Sequence, residues 1–156
     1  MGGHQEQNKR AGTENVAGIV GIGTAVNLIY NEFDSYNNKL KYLRDYYITQ
    51  IEKNIPNIKL NGDKVKRLPG NANISFDGID AGQLLLNLDA YGICASAGSA
   101  CTSGSLEPSH VLIAIGLKEN PTQGALRTTF GKDNTKEDVD FLISCIKNSV
   151  NKLRIF

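Results

Sequence analysis

The sequence predicts an α+β domain in which a small, mainly antiparallel sheet carries helices packed on one face. Three observations predict it. The elements read in the order helix, helix, strand, strand, helix, strand, loop, helix, strand, helix. Asn71 to Asp77 sets Ala72, Ile74 and Phe76 against Asn73 and Ser75, the alternation of a half-buried strand. No Gly-x-Gly-x-x-Gly follows a strand and no Walker loop is present, so a phosphate-loop architecture is not indicated.

Each element has a local reason. Residues 1–12 are glycines and charges without an apolar period. Thr13 is the expected N-cap of a first helix, with Glu14 in its first turn. From Val16 to Tyr30 almost no polar face remains, so this helix belongs against other protein. Gly18, Gly21 and Gly23 each cost about 1 kcal/mol relative to Ala there, which a closely packed neighbouring backbone would justify. A second helix is expected from Tyr36 to Asn54. Tyr36, Leu40, Leu43, Tyr47, Ile51 and Ile55 recur at three and four, while Lys39, Lys41, Arg44, Asp45 and Lys53 fill the other faces.

Pro56 ends that helix, and Ile58 to Leu60 reads as a short strand closed by Asn61-Gly62. After the strand at 71–77, Asp80 starts a helix carrying Leu84, Leu85 and Leu88 that stops at Gly92. Ile93 to Ala95 is expected as a brief strand entering a Gly/Ser loop. His110 to Leu117 is a short helix after Pro108, and Ala125 to Phe130 a strand. Thr135 caps a last helix with Val139, Leu142, Ile143, Ile146, Val150 and Leu153 on one face.

Composition narrows the function. With 156 residues, 40% hydrophobic and 21% charged, the chain can bury one sizeable core. Net charge is +1, so phosphate-backbone binding is not the leading reading. Two histidines, His4 and His110, lie far apart, which disfavours a histidine metal site. Three cysteines without a CxxC pair fit a reduced, cytoplasmic protein. The polar first ten residues show no signal-peptide pattern. The run at 16–30 falls short of the roughly 20 apolar residues a bilayer needs and is interrupted by Thr24 and Asn27.

The segment from Ser96 to Ser109 holds Cys101 among small residues. A thiol presented by such a loop is a candidate nucleophile once deprotonated; otherwise it is a small residue in a tight turn. Cys94 and Cys145 read as packing residues. A thiol-redox pair of Cys101 with Cys94 lacks any CxxC spacing.

The string Gly98-Ser99-Ala100-Cys101-Thr102-Ser103-Gly104-Ser105-Leu106-Glu107-Pro108-Ser109-His110 resembles the active-site loop of NifS/IscS-type cysteine desulfurases. Those are pyridoxal-phosphate enzymes of the class V aminotransferase group. Gly2-Gly3-His4-Gln5-Glu6 with Arg10-Ala11-Gly12-Thr13 resembles a second family segment. Asn71-Ala72-Asn73-Ile74-Ser75-Phe76 and Arg127-Thr128-Thr129-Phe130-Gly131 are similar to two more. The resemblance covers almost the whole chain in family order.

It implies the C-terminal small domain of a fold-type I pyridoxal-phosphate enzyme. Residues 1–34 would be an inter-domain segment with the long apolar helix, and 35–156 the small domain carrying the loop at 96–109. Family members are much longer, and their Schiff-base lysine follows a histidine upstream of the Gly-Gly-x-Gln-Glu segment; here no lysine follows a histidine. The chain therefore reads as a fragment, expected to bind no cofactor covalently by itself and to be inactive alone.

For the full-length parent the resemblance implies removal of sulfur from L-cysteine, giving alanine and a persulfide on Cys101. The sulfur would pass to an iron–sulfur scaffold or thiolation acceptor protein. Arg127 would bind the substrate carboxylate, and Thr13 the cofactor phosphate across a homodimer. Arg10 and His4 have weaker claims near the cofactor. The missing N-terminal large domain is an implied partner, whereas nucleic acid and membrane are not. The alternatives are a selenocysteine lyase or cysteine-sulfinate desulfinase relative, or a non-enzymatic partner-binding domain.

Overall fold

The computed structural model describes residues 3–98, 109–117 and 123–154. The order is α1 (Val16–Asn54), β1 (Ile58–Leu60), β2 (Asn71–Asp77), α2 (Ala81–Asp89), α3 (His110–Ala114), β3 (Gln123–Thr129) and α4 (Lys136–Leu153). By internal contacts the chain divides into two compact units, Met1–Tyr36 and Asn37–Phe156.

The first unit is a turn followed by the start of α1. Gln5 and Arg10 form an antiparallel bridge. The Arg10 guanidinium donates to the Gly12 carbonyl at 2.9 Å and to Glu14 at 3.2 Å, bracing the entry to the helix. The cap is Asn15 and not Thr13: Asn15 Oδ1 accepts from the Gly18 amide at 3.0 Å, and the helix begins at Val16. The two helices expected at 16–30 and 36–54 are one 39-residue helix. Asn31 to Ser35 contains neither Gly nor Pro, so nothing stops the backbone ladder from running through.

Two expectations about this stretch change with that. Val16, Ile19, Ile22, Leu28 and Tyr30 are all exposed, and among the described residues no atom lies within 4 Å of a Cβ built on Gly21 or Gly23. Among the described residues none supplies the close backbone neighbour that would justify those glycines. The continuous helix is also long and apolar enough to cross a membrane by length and composition, so length no longer argues against that.

The second unit contains the sheet, with strand order β1-β2-β3 and both pairings antiparallel. Ala72, Ile74 and Phe76 of β2 share a face with Leu126 of β3 and are buried. The C-terminal half of α1 contributes Leu40, Leu43, Tyr47, Ile48 and Ile51 to the core; α4 contributes Val139, Ile143, Ile146 and Val150. Burial of this kind is worth about 1.5–3 kcal/mol per large side chain. Tyr47 meets Phe130 edge-on, with ring centroids 5.6 Å apart, and burial pushes its phenol pKa up. The three-stranded antiparallel sheet with its helices matches the α+β expectation.

Both predicted caps in this unit are present. Asp80 accepts from the Gln83 amide at 2.8 Å at the start of α2. Thr135 and Asp138 form a reciprocal capping box at the start of α4. That contact to the Thr135 amide holds the Asp138 carboxyl below its ordinary pKa. At the far end, Arg154 donates to the carbonyls of Pro56, Asn57 and Asp77, fastening α4 to the β1 and β2 ends. Gly124 permits a close crossing: a Cβ there would stand 2.6 Å from the Ile79 carbonyl oxygen.

Three further expectations are corrected. Residues 93–95 form no strand, because Gly92 turns with φ +74° and the Ile93 amide bonds back to Leu88 O at 3.0 Å. Arg44 is buried and not on an outer face; its guanidinium holds Asp45 at 2.7 Å and donates to Leu68 O at 3.1 Å. Cys94 is exposed, whereas Cys145 is buried as expected. The chain leaves α2 too early at Gly92 for Cys94 to reach the core.

Candidate functional site

β3 sets one candidate side chain. Its residues alternate, so Leu126 and Thr128 point to the core while Arg127 stands on the opposite face, half-buried. Arg127 pairs with Asn73 of β2 on one side. On its other side it forms an isolated antiparallel bridge with Ser96: Arg127 N donates to Ser96 O at 2.6 Å, and Ser96 N to Arg127 O at 3.2 Å. Ser96 is where the small-residue loop begins. Its hydroxyl donates to Gly98 O at 3.0 Å, tightening the first turn of that loop.

The structure thus brings Arg127 and the start of the cysteine loop together on one sheet edge. Cys101 itself, with the rest of 99–108, lies outside the described residues. Among the described residues no carboxylate stands within 4.0 Å of the Arg127 guanidinium, and a guanidinium is a group that can hold a carboxylate as a planar fork. Thr13 lies in the other unit, exposed, two residues before the Asn15 cap of α1. An exposed hydroxyl at the positive end of a long helix fits one phosphate contact. Arg10 is engaged by Glu6 and Glu14, and His4 is exposed.

Sequence reasoning did not single out Asn61, Asn73 or Ser96. Asn61 is 5% exposed, and its Nδ2 donates to Asn73 Oδ1 and to Ser75 Oγ, each at 2.7 Å. These residues are far apart in sequence and meet only through strand register. Among the described residues no cluster of His, Cys, Asp and Glu is suited to a metal ion.

The exposure of Cys94 gives a simple expectation. A thiol-alkylating reagent should label Cys94 in the native chain within minutes, and Cys145 only after denaturation, because reactivity follows access to the thiolate. Peptide mapping of the labelled sites checks this; native labelling of Cys145 would contradict the packing of α4.

The family model for aminotransferase class-V matches residues 3–142. The chain is 48% identical over 153 residues to the cysteine desulfurase IscS of Dictyoglomus turgidum, covering 98% of this chain and 39% of that protein. It is 49% identical to the cysteine desulfurase IscS of Methanosarcina thermophila, covering 98% of this chain and 38% of the relative. The fold is similar to that of a NifS-like protein from Rickettsia africae, with a TM-score of 0.82 and 30% identity, over 97% of this chain and 39% of that one. The chain therefore spans about two-fifths of the length of the curated relatives it matches. A family match over most of the chain, with the sheet and helices superposing on a NifS-like protein, means that this chain belongs to the class-V aminotransferase family.

Proposed function

We propose that this chain is the C-terminal, small-domain portion of a pyridoxal-phosphate-dependent cysteine desulfurase. Its likeness to cysteine desulfurases over 98% of its length supports the family of reaction. The observation that carries the reading is the Ser96–Arg127 bridge. It ties the root of the Cys101 loop to the strand residue suited to hold a substrate carboxylate. Cys101 is the fifth residue after Ser96, so chain geometry keeps their Cα atoms within about 18 Å of each other. One segment can therefore serve a substrate held at Arg127 and an acceptor outside.

In this reading Arg127 binds the carboxylate of L-cysteine with two parallel hydrogen bonds and so fixes where the substrate sulfur lies. Cys101, as its thiolate, forms a bond to that sulfur while the substrate Cβ–S bond breaks. The electron pair of the broken bond stays with Cβ, which takes up a proton, giving L-alanine and a Cys101 persulfide. Pyridoxal phosphate, when bound, supplies the electron sink that makes this bond labile. Thr13 would hold an oxygen of its phosphate, across a homodimer. The cofactor-anchoring lysine would come from the portion of the protein that precedes this chain. The persulfide sulfur passes to an acceptor protein such as an iron–sulfur scaffold, in the cytoplasm.

The test uses the full-length protein. Arg127→Ala should raise the KM for L-cysteine by roughly 10- to 100-fold, the worth of a charge-assisted pair. Arg127→Lys should recover part of that loss, and alanine should match persulfide in the wild type. An unchanged KM in Arg127→Ala would refute the role of Arg127. Faster turnover of L-selenocysteine or cysteine sulfinate than of L-cysteine would replace the substrate assignment.

A further inference from the structure

Four residues from four separate segments stand in one row across the sheet. Asn61 follows β1 and its amide N–H donates to Asn73 O at 2.9 Å. Asn73 of β2 is the register partner of Arg127 in β3, and Arg127 is bridged to Ser96. Side chains of directly opposed residues in antiparallel strands project to the same face, with Cβ atoms about 4.5–5.5 Å apart. The row Asn61–Asn73–Arg127–Ser96 is therefore a line of polar side chains on one face, opposite to the apolar face made by Ala72, Ile74, Phe76 and Leu126. It ends at the root of the Cys101 loop.

Folding alone does not account for this row. Asn61 is almost fully buried, yet its Oδ1 has no hydrogen-bond partner among the described residues. A buried amide with an unpaired oxygen is costly, and an apolar residue of the same size would avoid the cost. What the Asn61 amide does is hold its neighbour: Nδ2 clamps Asn73 Oδ1 and Ser75 Oγ, each at 2.7 Å. With Oδ1 taken, the polar atom that Asn73 has left to offer is its Nδ2, a donor, at the strand position directly opposite Arg127. Two donors side by side on a half-buried face suit an acceptor with two oxygens.

We infer that Asn73, oriented by Asn61, is a second substrate-positioning residue: its amide Nδ2 donates to the same carboxylate that Arg127 binds. The inference rests on the reading of Arg127 above and deepens it. Asn73 restricts how the carboxylate can turn against the guanidinium and thereby sets the direction of the substrate's side chain. Asn61 touches no substrate and acts only through Asn73. The site is consequently selective for a free α-carboxylate, and an ester at that position loses the benefit of both donors.

The experiment is calorimetric titration of the full-length holoenzyme with L-alanine, the product, and with L-alanine methyl ester, whose carboxylate is masked. Asn73→Ala should weaken L-alanine about tenfold and leave the ester within twofold. Asn73→Asp keeps the shape, removes the donor and adds a like charge, so it should weaken L-alanine further still. Asn73→Gln, which retains a donor, should recover part of the affinity. With L-cysteine as substrate the loss in Asn73→Ala should fall on KM, with kcat within threefold. Equal weakening of both titrants would mean a structural role only and would overturn the inference, as would unchanged L-alanine binding in Asn73→Ala while Arg127→Ala weakens it. L-Alanine binding unaffected by Arg127→Ala would instead overturn the underlying reading of Arg127. Should Asn73→Ala fail to fold, Asn61→Leu carries the test: it removes the clamp without touching the site, and unchanged L-alanine affinity there would refute the orienting role.

Discussion

Cys101→Ser in the full-length protein should abolish persulfide formation, lowering alanine release from L-cysteine by roughly three orders of magnitude or more. A serine hydroxyl at neutral pH is a far weaker nucleophile than a thiolate and cannot accept sulfur reversibly. Cofactor binding and L-alanine affinity should stay as in the wild type, because the groups proposed for them are Thr13, Arg127 and Asn73. Cys145→Ser should cost stability alone, since that side chain is buried in α4. Cys94 needs the stricter control. It is exposed and only two residues before Ser96, so accessibility does not separate it from Cys101. What separates them is attachment: Cys94 precedes the Ser96–Arg127 bridge on the stretch bonded back to α2. Cys94→Ser should therefore keep wild-type alanine release, and mass mapping should place the persulfide sulfur on Cys101. Wild-type alanine release from Cys101→Ser with sulfur on Cys94 would make Cys94 the nucleophile.

What the sequence disclosed follows from the range of the forces involved. Local signals were legible: the alternation at 71–77, the caps at Asp80 and Thr135, and the three-and-four spacing from Leu40 to Ile51 all describe contacts within a turn or a pleat. The cysteine loop was legible as a motif because its residue types are unusual together. The break expected between two helices failed because a change from apolar to amphipathic character does not stop a backbone ladder; only a lost donor or a left-handed residue does. Arg44 was misplaced because its burial depends on Leu68 O, 24 residues away. The row Asn61–Asn73–Arg127–Ser96 depends on register, and a slip of one residue would send Asn73 to the core face. No periodicity encodes that pairing. Thr13 shows the converse: its reading as a cap was a sound local inference, displaced by Asn15 two residues on, whose Oδ1 accepts from the Gly18 amide at 3.0 Å.

The chain in isolation should self-associate, and removing residues 1–36 should make it monomeric. Val16, Ile19, Val20, Ile22, Val26 and Leu28 are each more than half exposed along the first half of α1. Large apolar side chains left in water forfeit about 1.5–3 kcal/mol apiece, and so long an uncovered stretch is rare on a monomer. The relatives this chain matches are about two and a half times its length, so we propose that the occupant of this face is the preceding portion of the protein, absent here. Without it, a second copy is the nearest substitute. Among the described residues the unit Asn37–Phe156 holds all three strands of the sheet and every buried apolar side chain, so it should keep its cooperative unfolding when the helix start is removed. Sedimentation velocity should show a dimer or larger species for residues 1–156 and a monomer for 37–156, with binding of a hydrophobic dye falling in parallel. Co-expression with the N-terminal three-fifths of a relative such as the Dictyoglomus turgidum enzyme should abolish the dye binding by covering the helix. A monomeric 1–156 with no dye binding would show that the apolar half of α1 finds its cover within the chain. Partition of 1–156, but not of 37–156, into lipid vesicles would make a bilayer, and not protein, the partner of this face.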